Sequence, residues 1–176
     1  MTVLPDILEK GLTTIFCGSA ASSASARLGH YYAGPGNRFW QALFEAGLTP
    51  TLFTPGEYRH LPEFGIGITD LAKHEWGMDI ALSSKAYDVD ALLKKIETCK
   101  PRQLAFTGKR PAGIFMLEAL GETLKDYGEH QVKIGTTRIF VLPSPSGAAR
   151  RWWSIEPWIK LGEIHQAAIR QRDNGQ

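Results

Sequence analysis

Four short apolar segments, separated by stretches with helical periodicity, restrict the possible folds of this 176-residue chain most strongly. Each segment indicates a buried strand that ends at small or turn-forming residues. Because a right-handed crossover brings the next strand back parallel, strands that alternate with helices predict a parallel sheet covered on both faces. We therefore expect one domain over residues 1–176, with an α/β fold: a three-layer α/β/α sandwich around a mainly parallel sheet of about four strands. The predicted strands are residues 13–18, 65–70, 103–108 and 138–143.

Capping residues predict where the helices between these strands begin and end. The predicted helices are residues 38–46 between Asn37 and Gly47, residues 89–99 between Asp88 and Pro101, a helix from Pro111 to about residue 124, and a helix from about Ser154 to about Arg172.

The composition excludes several classes of site and location. Two cysteines, Cys17 and Cys99, are too few for a disulfide framework, a four-cysteine zinc site or an iron–sulfur cluster. No histidine falls in a metal-ligand spacing, so we expect no metal, no cofactor and mostly exposed histidines. No apolar run approaches the roughly 18 residues of a membrane span, and no secretory signal pattern opens the chain. We expect a cytoplasmic monomer with no membrane partner.

The positive charge is concentrated in the second half of the chain. Residues 1–99 carry 8 Lys and Arg against 11 Asp and Glu, whereas residues 100–176 carry 12 against 7. A basic half can present a surface to phosphates. Because imbalances of this size also occur in proteins that never bind nucleic acid, the charge permits DNA binding without identifying it.

Small, polar and basic residues follow each predicted strand. In an open parallel sheet the ligand site lies beyond the carboxyl ends of the strands, so the four loops are expected to converge on one crevice. The first loop lacks the glycine spacing of a phosphate-binding loop or a serine-hydrolase elbow, but its small residues let backbone N–H groups approach a ligand. The loops are residues 18–23, 69–70, 107–110 and 144–151.

Four aromatic residues flank a Gly/Pro turn. Tyr31 and Tyr32 precede the turn, and either could stack on a planar base or belong to the core. Phe39 and Trp40 follow it and are expected in the core.

Short motifs occur in a defined order along nearly the whole chain. They are residues 15–18, 34–40, 45–47, 67–71, 108–109 and 141–147. In this order they resemble the mismatch-specific uracil-DNA and thymine-DNA glycosylases of the uracil-DNA glycosylase superfamily. Residues 31–40 also look like the hypoxanthine-DNA glycosylase branch. The resemblance implies a metal-free enzyme that flips a damaged base out of DNA and hydrolyses its N-glycosidic bond.

The resemblance implies which residues bind the flipped base. Tyr32 matches the aromatic residue that stacks on the base, and Asp70 matches the position that recognises the base edge. Gly18 and Ser19 of the first motif are assigned to base binding with them.

The motif at residues 141–147, the second signature motif, contributes Ser144 and Ser146, which are assigned to catalysis. Arg150 matches the side chain that fills the space left by the flipped base. The predicted DNA-contacting residues are Ser22, Ser23, Lys109, Arg110, Gly147, Ala148, Ala149, Arg150 and Arg151.

Three positions depart from the family pattern. Ala20 stands where relatives have an asparagine that orients the attacking water, a role worth roughly 10²–10⁴-fold in rate. Asn37 is our candidate to replace it, with a purely helix-capping role as the alternative. Asp70 stands where relatives have Asn or Lys. An ionised Asp70 would accept N3–H of uracil but repel O4, whereas a protonated Asp70 could donate to O4. The structural alternative for Asp70 is a helix cap. Ser144 replaces an Asn or His donor to the leaving base.

The combined motifs predict a monofunctional DNA glycosylase that removes uracil, with mispaired and other deaminated bases as further candidate substrates. Because no lysine is placed for Schiff-base chemistry, the expected product is an abasic site. One alternative is a catalytically weakened module of the same fold that binds damaged bases. A second is a nucleotide-handling enzyme of another class on the same scaffold.

Overall fold

Five strands form the central sheet of the structure, a computed structural model that describes residues 1–175. In chain order they are β1 (Thr14–Ala21), β2 (Ile66–Trp76), β3 (Gln103–Phe106), β4 (Gly128–Ile134) and β5 (Thr137–Val141). The spatial order is β2-β1-β3-β5-β4; the first four are parallel, and β4 runs antiparallel to β5. The prediction of about four strands is therefore corrected to five.

The unpredicted strand β4 lies at one edge of the sheet. Its side chains alternate between exposed and half-buried positions, and most of them are polar. An edge strand of this kind does not form an apolar run, and charged edge residues oppose pairing with another chain. The apolar runs that indicate the four buried strands therefore do not indicate β4.

Within the described residues, five α-helices cover the sheet. They are α1 (Ser23–Leu28), α2 (Phe39–Glu45), α3 (Val89–Cys99), α4 (Lys109–Leu120) and α5 (Glu156–Asn174). The bounds of α3 match the prediction, because the Asp88 carboxylate caps it by accepting from the Ala91 N–H at 2.9 Å. Helix α1 was not predicted, α4 begins two residues before Pro111, and α5 begins two residues after Ser154.

Two separate apolar cores hold the layers together. On one face of the sheet, side chains of α2 and α5 pack against Phe16, Ile66 and Ile68. On the other face, side chains of α3 and α4 pack against strand residues such as Leu104 and Ile139. Alternate strand residues thus face opposite cores, which confirms the three-layer α/β/α prediction.

The first two strands extend further than predicted. β1 continues from Gly18 to Ala21, so Ser19 is part of the strand, and Ser22 then caps α1 by accepting from the Ser25 N–H at 3.1 Å. β2 continues from Asp70 to Trp76, so the alternative helix-capping role of Asp70 is wrong. None of the helices found in residues 1–175 is long and apolar enough to span a membrane.

Candidate active site

A cavity of about 580 Å³ opens where the loops after the parallel strands meet. All predicted site residues line it except Gly147, Arg150 and Arg151. We call this cavity the crevice. Its position beyond the carboxyl ends of β1, β3 and β5 is the one expected for an open parallel sheet.

Asp70 lies opposite Gly18 in the β1–β2 pairing and lines the crevice. A Cβ atom on Gly18 would lie 2.7 Å from Asp70 Oδ1, so only glycine lets the carboxyl come this close to β1. The side chain is buried, with 5% of the residue exposed, and no hydrogen bond to it is found within residues 1–175. A buried carboxyl without a protein donor has its bonding capacity available for a ligand.

Burial raises the pKa of Asp70 to about 6. The nearby charge of Lys73 opposes this shift, whereas the charge of Asp6 adds to it. Lys73 cannot offset the burial fully, because its Nζ is already 2.8 Å from Asp6 Oδ1 and donates to the Tyr31 hydroxyl at 2.9 Å. Near pH 6 the Asp70 carboxyl therefore exists in both protonation states.

Asp6 anchors a polar cluster at the β2 edge that the sequence patterns did not reveal. Besides Lys73, it pairs with Lys95 Nζ at 2.6 Å and accepts from the Thr69 hydroxyl at 2.7 Å. Burial alone would raise the pKa of Asp6, but its hydrogen bonds to Lys73 and Lys95 hold it below the usual range. The N-terminal segment forms this cluster because it pairs antiparallel with β2 at Ile68.

Both tyrosines line the crevice, but Tyr31 is 2% exposed and belongs to the core, whereas Tyr32 is only partly buried against it. The Tyr32 ring stacks on Phe39, with centroids 3.8 Å apart and an interplanar angle of 11°. Its hydroxyl hydrogen-bonds with Thr107 Oγ1 at 3.0 Å, and its backbone is in the left-handed region at φ +52°. Strained backbone of this kind persists only where surrounding contacts hold it, here Phe39 and Thr107.

Asn37 lies next to the start of α2 but is not its N-cap, which is Arg38, and its role in orienting water stays a prediction. Its Oδ1 accepts from the Phe39 N–H at 2.9 Å, as a residue at a helix start does, and the side chain also lines the crevice. An amide oxygen has two lone pairs, so one remains for a water or substrate group.

The loop that contains Ser144 and Ser146 contacts the turn that carries Asn37. The Arg38 N–H donates to the Pro145 carbonyl at 2.8 Å, and a Cβ on Gly147 would lie 3.0 Å from the Pro35 carbonyl oxygen. Ser144 Oγ accepts from the Ser146 N–H, and Ser146 Oγ accepts from the Ala148 N–H, both at 3.3 Å. Each serine hydroxyl keeps its proton available for donation.

Basic side chains stand around the mouth of the crevice. Lys109 Nζ lies 3.6 Å from Asp126 Oδ1 and over the Tyr127 ring, and Arg110 Nε donates to the Tyr87 hydroxyl at 3.0 Å. Arg150 and Arg151 are exposed outside the crevice lining.

Sequence reasoning missed several crevice residues. Thr107 belongs to the predicted loop 107–110 but was assigned no role, although its hydroxyl directly after β3 was a usable signal. Met78 and Ile80 come after the longer β2 and carried no recognised motif. Among residues 1–175 no group of three or more His, Cys, Asp or Glu is placed to hold a metal ion.

Comparison with known proteins assigns the family. The model of the uracil DNA glycosylase superfamily matches residues 5–162. The chain is also similar to a protein from Methanosarcina acetivorans, whose solution NMR structure is described as that of a candidate uracil DNA glycosylase: 24% identity, 93% of this chain and 96% of that chain covered, TM-score 0.61. At this identity the structural likeness establishes the fold, while the family model covers most of the chain. The chain belongs to the uracil DNA glycosylase superfamily, whose members act on DNA.

Proposed function

We propose that this protein is a monofunctional DNA glycosylase that removes uracil, and related deaminated bases, and leaves an abasic site. The observation that carries the proposal is the buried Asp70 carboxyl, without a protein donor, in the same crevice as the Tyr32 ring. Together they offer one flat surface and one polar group to a planar base.

Base recognition follows from the chemistry of these two groups. Tyr32, held from behind by Phe39, stacks on the flipped base. A protonated Asp70 accepts the N3–H of uracil and donates to O4, so it forms two hydrogen bonds with this edge. Hypoxanthine presents the same pairing of N1–H and O6. An ionised Asp70 loses the bond to O4 and repels that oxygen.

Bond cleavage requires a water at C1′ and a stabilised leaving base. Asn37 accepts a hydrogen bond from the attacking water through its free lone pair, and the hydroxyls of Ser144 and Ser146 donate to the departing base. The N-glycosidic bond breaks with its electron pair on the base, the water oxygen bonds to C1′, and the water proton passes to solvent or base. Flipping costs a few kcal/mol, less for a mispaired base.

The lysines near the crevice do not favour strand cleavage through a Schiff base. Lys109 is engaged with Asp126 and Tyr127, and Lys73 is buried between Asp6 and Tyr31. Each amino group is held in these contacts, so neither is free to attack a sugar carbon. The abasic site is therefore the expected product.

The test is cleavage of oligonucleotides that contain uracil, hypoxanthine or mispaired thymine, read out after alkali treatment. We expect the wild-type protein to release uracil and Asn37→Ala to lose at least about tenfold in rate. Asp70→Ala, which removes both polar groups that face the base edge, should weaken uracil release more than Asp70→Asn, which keeps an acceptor and a donor. Lys160→Ala on α5, outside the crevice, is the matched control.

Two outcomes would contradict the proposal. Binding to damaged DNA without release of any base would favour the base-binding module. Hydrolysis of free nucleosides without salt-sensitive DNA binding would favour a nucleotide-handling enzyme.

A further inference from the structure

An exposed apolar loop forms one side of the crevice mouth. Trp76 is 58% exposed, Met78 65% and Ile80 90%, and both Met78 and Ile80 line the crevice. Three large apolar side chains within five residues are unusual for a solvent-facing surface and mark an interaction site. We call residues 76–80 the apolar rim loop.

Contacts at both ends hold the apolar rim loop in place. At its start, the Gly77 N–H donates to the Ala21 carbonyl at 2.9 Å. Around it, the Glu75 carboxylate accepts from the N–H and the hydroxyl of Ser83. The exposed side chains therefore project from a tethered loop beside the place where β1 ends.

The charge of the loop indicates what it contacts. Residues 76–84 contain no Lys or Arg, and Asp79 is their only charged residue. Phosphate contacts need cationic or N–H donor groups, and the side chains of the loop itself supply no cation. Apolar side chains instead pack against the faces of bases that have lost a stacking or pairing partner.

We propose that the apolar rim loop packs against unpaired bases next to the flipped nucleotide, so that the protein binds single-stranded or locally unpaired DNA more tightly than intact duplex. This inference rests on the proposed function, because it places DNA across the crevice. The basic side chains Lys109, Arg110 and Arg150 then supply the phosphate contacts, and the loop supplies contacts to bases.

The test measures binding to a short oligonucleotide with a tetrahydrofuran abasic analogue at its centre, as a single strand and as a duplex. The double variant Met78→Ser with Ile80→Ser is expected to weaken single-strand binding about fivefold or more, the lower end of losses for base stacking. Duplex binding should change by less than about twofold, and the slope of log affinity against log salt should stay the same, since no phosphate contact is lost. Leu117→Ser on α4, 60% exposed and outside the crevice, is the control.

A second arm uses Trp76. Trp76→Phe should keep single-strand binding and Trp76→Ala should weaken it, because the aromatic face is retained only in the first variant. The inference would be overturned if the variants weakened single-strand and duplex binding equally, or if they weakened neither. It would also be overturned if the same variants changed self-association, because the loop would then contact a second copy of the chain. If wild-type protein releases no base from any substrate, the proposed function fails while these binding measurements still decide the role of the loop.

Discussion

At the scale of single residues, burial determines the chemistry of two ionisable groups. Asp70 and His165 are both buried, and burial disfavours the charged form of each. The carboxyl therefore gains a pKa near neutrality, whereas the imidazole becomes harder to protonate. The first effect bears on the reaction, and the second on stability.

The protonation of Asp70 predicts how activity depends on pH. Because its pKa is raised to about 6, uracil release should fall about tenfold per pH unit above that value, as the donor to O4 is lost. Asp70→Asn keeps a donor at every pH and should flatten this limb of the profile. Single-turnover rates between pH 5 and 9 provide the measurement, and an unchanged profile in the variant would exclude Asp70 as the titrating group.

The burial of His165 predicts how stability depends on pH. Its Nε2 donates to the Phe64 carbonyl at 2.9 Å and Nδ1 lies 2.8 Å from Thr14 Oγ1, and burial lowers its pKa to about 4. The unfolded chain binds a proton at this imidazole at higher pH than the folded protein does. The contribution of the neutral His165 to the free energy of unfolding is therefore complete above pH 6.5 and is lost as the pH falls towards 4. It amounts to about 3 kcal/mol.

Asp70 acts in the opposite direction, because its raised pKa makes the folded protein less stable as pH rises from 3.8 to about 6. Urea unfolding of Asp70→Asn should therefore show a steeper rise in the free energy of unfolding between pH 4 and 6.5 than wild type shows. Replacing His165 by Gln in the same background should remove most of that rise. If the free energy of unfolding still rises over this pH range in the double variant, a group other than His165 is responsible.

At the scale of elements, close contacts between helices determine which small residues are required. Helix α5 crosses the end of α2 so closely that a Cβ on Gly162 would lie 2.0 Å from the Ala46 carbonyl oxygen. Nothing in the local sequence of α5 distinguishes Gly162 from a glycine that alanine could replace. The neighbouring helix alone creates the requirement.

Alanine substitution tests this contact. We expect Gly162→Ala to destabilise the protein by about 1–3 kcal/mol, because backbone atoms of α2 must move. Gly113→Ala in α4 is the matched control: its Cβ would meet Leu124 at an ordinary 3.7 Å, and alanine favours the helix, so stability should stay the same or increase. Thermal unfolding of both variants gives the comparison, and equal melting temperatures would refute the close approach.

At the scale of the whole molecule, the charge asymmetry between the two halves becomes a surface property. The first half contributes Asp6 and the apolar rim loop. In the second half, Lys109 and Arg110 line the crevice, and Arg150 and Arg151 are exposed in the segment that follows Ser146. Cationic side chains at the mouth would attract DNA through its phosphates.

Salt dependence of DNA binding tests this surface. Arg150→Ala and Arg151→Ala should each weaken binding to all sequences alike and lower the slope of log affinity against log salt by about 1. Lys160→Ala should leave the slope unchanged, since Lys160 pairs with Glu163 on α5 and does not line the crevice. If Lys160→Ala lowers the slope as much as the arginine variants, binding is not confined to the mouth of the crevice.

The sequence by itself determined the four buried strands, the bounds of α3 and the order of the motifs, because apolar periodicity, capping residues and motif spacing are local properties. It did not show β4, whose side chains are polar at an edge, or the true ends of β1 and β2. Only the tertiary structure decided that Asp70 lies in mid-strand beside Gly18, that Phe39 and Thr107 hold Tyr32, and that Asp6 neutralises Lys73. These features arise from contacts between residues far apart in the chain, where burial and approach distance depend on the packing of whole elements.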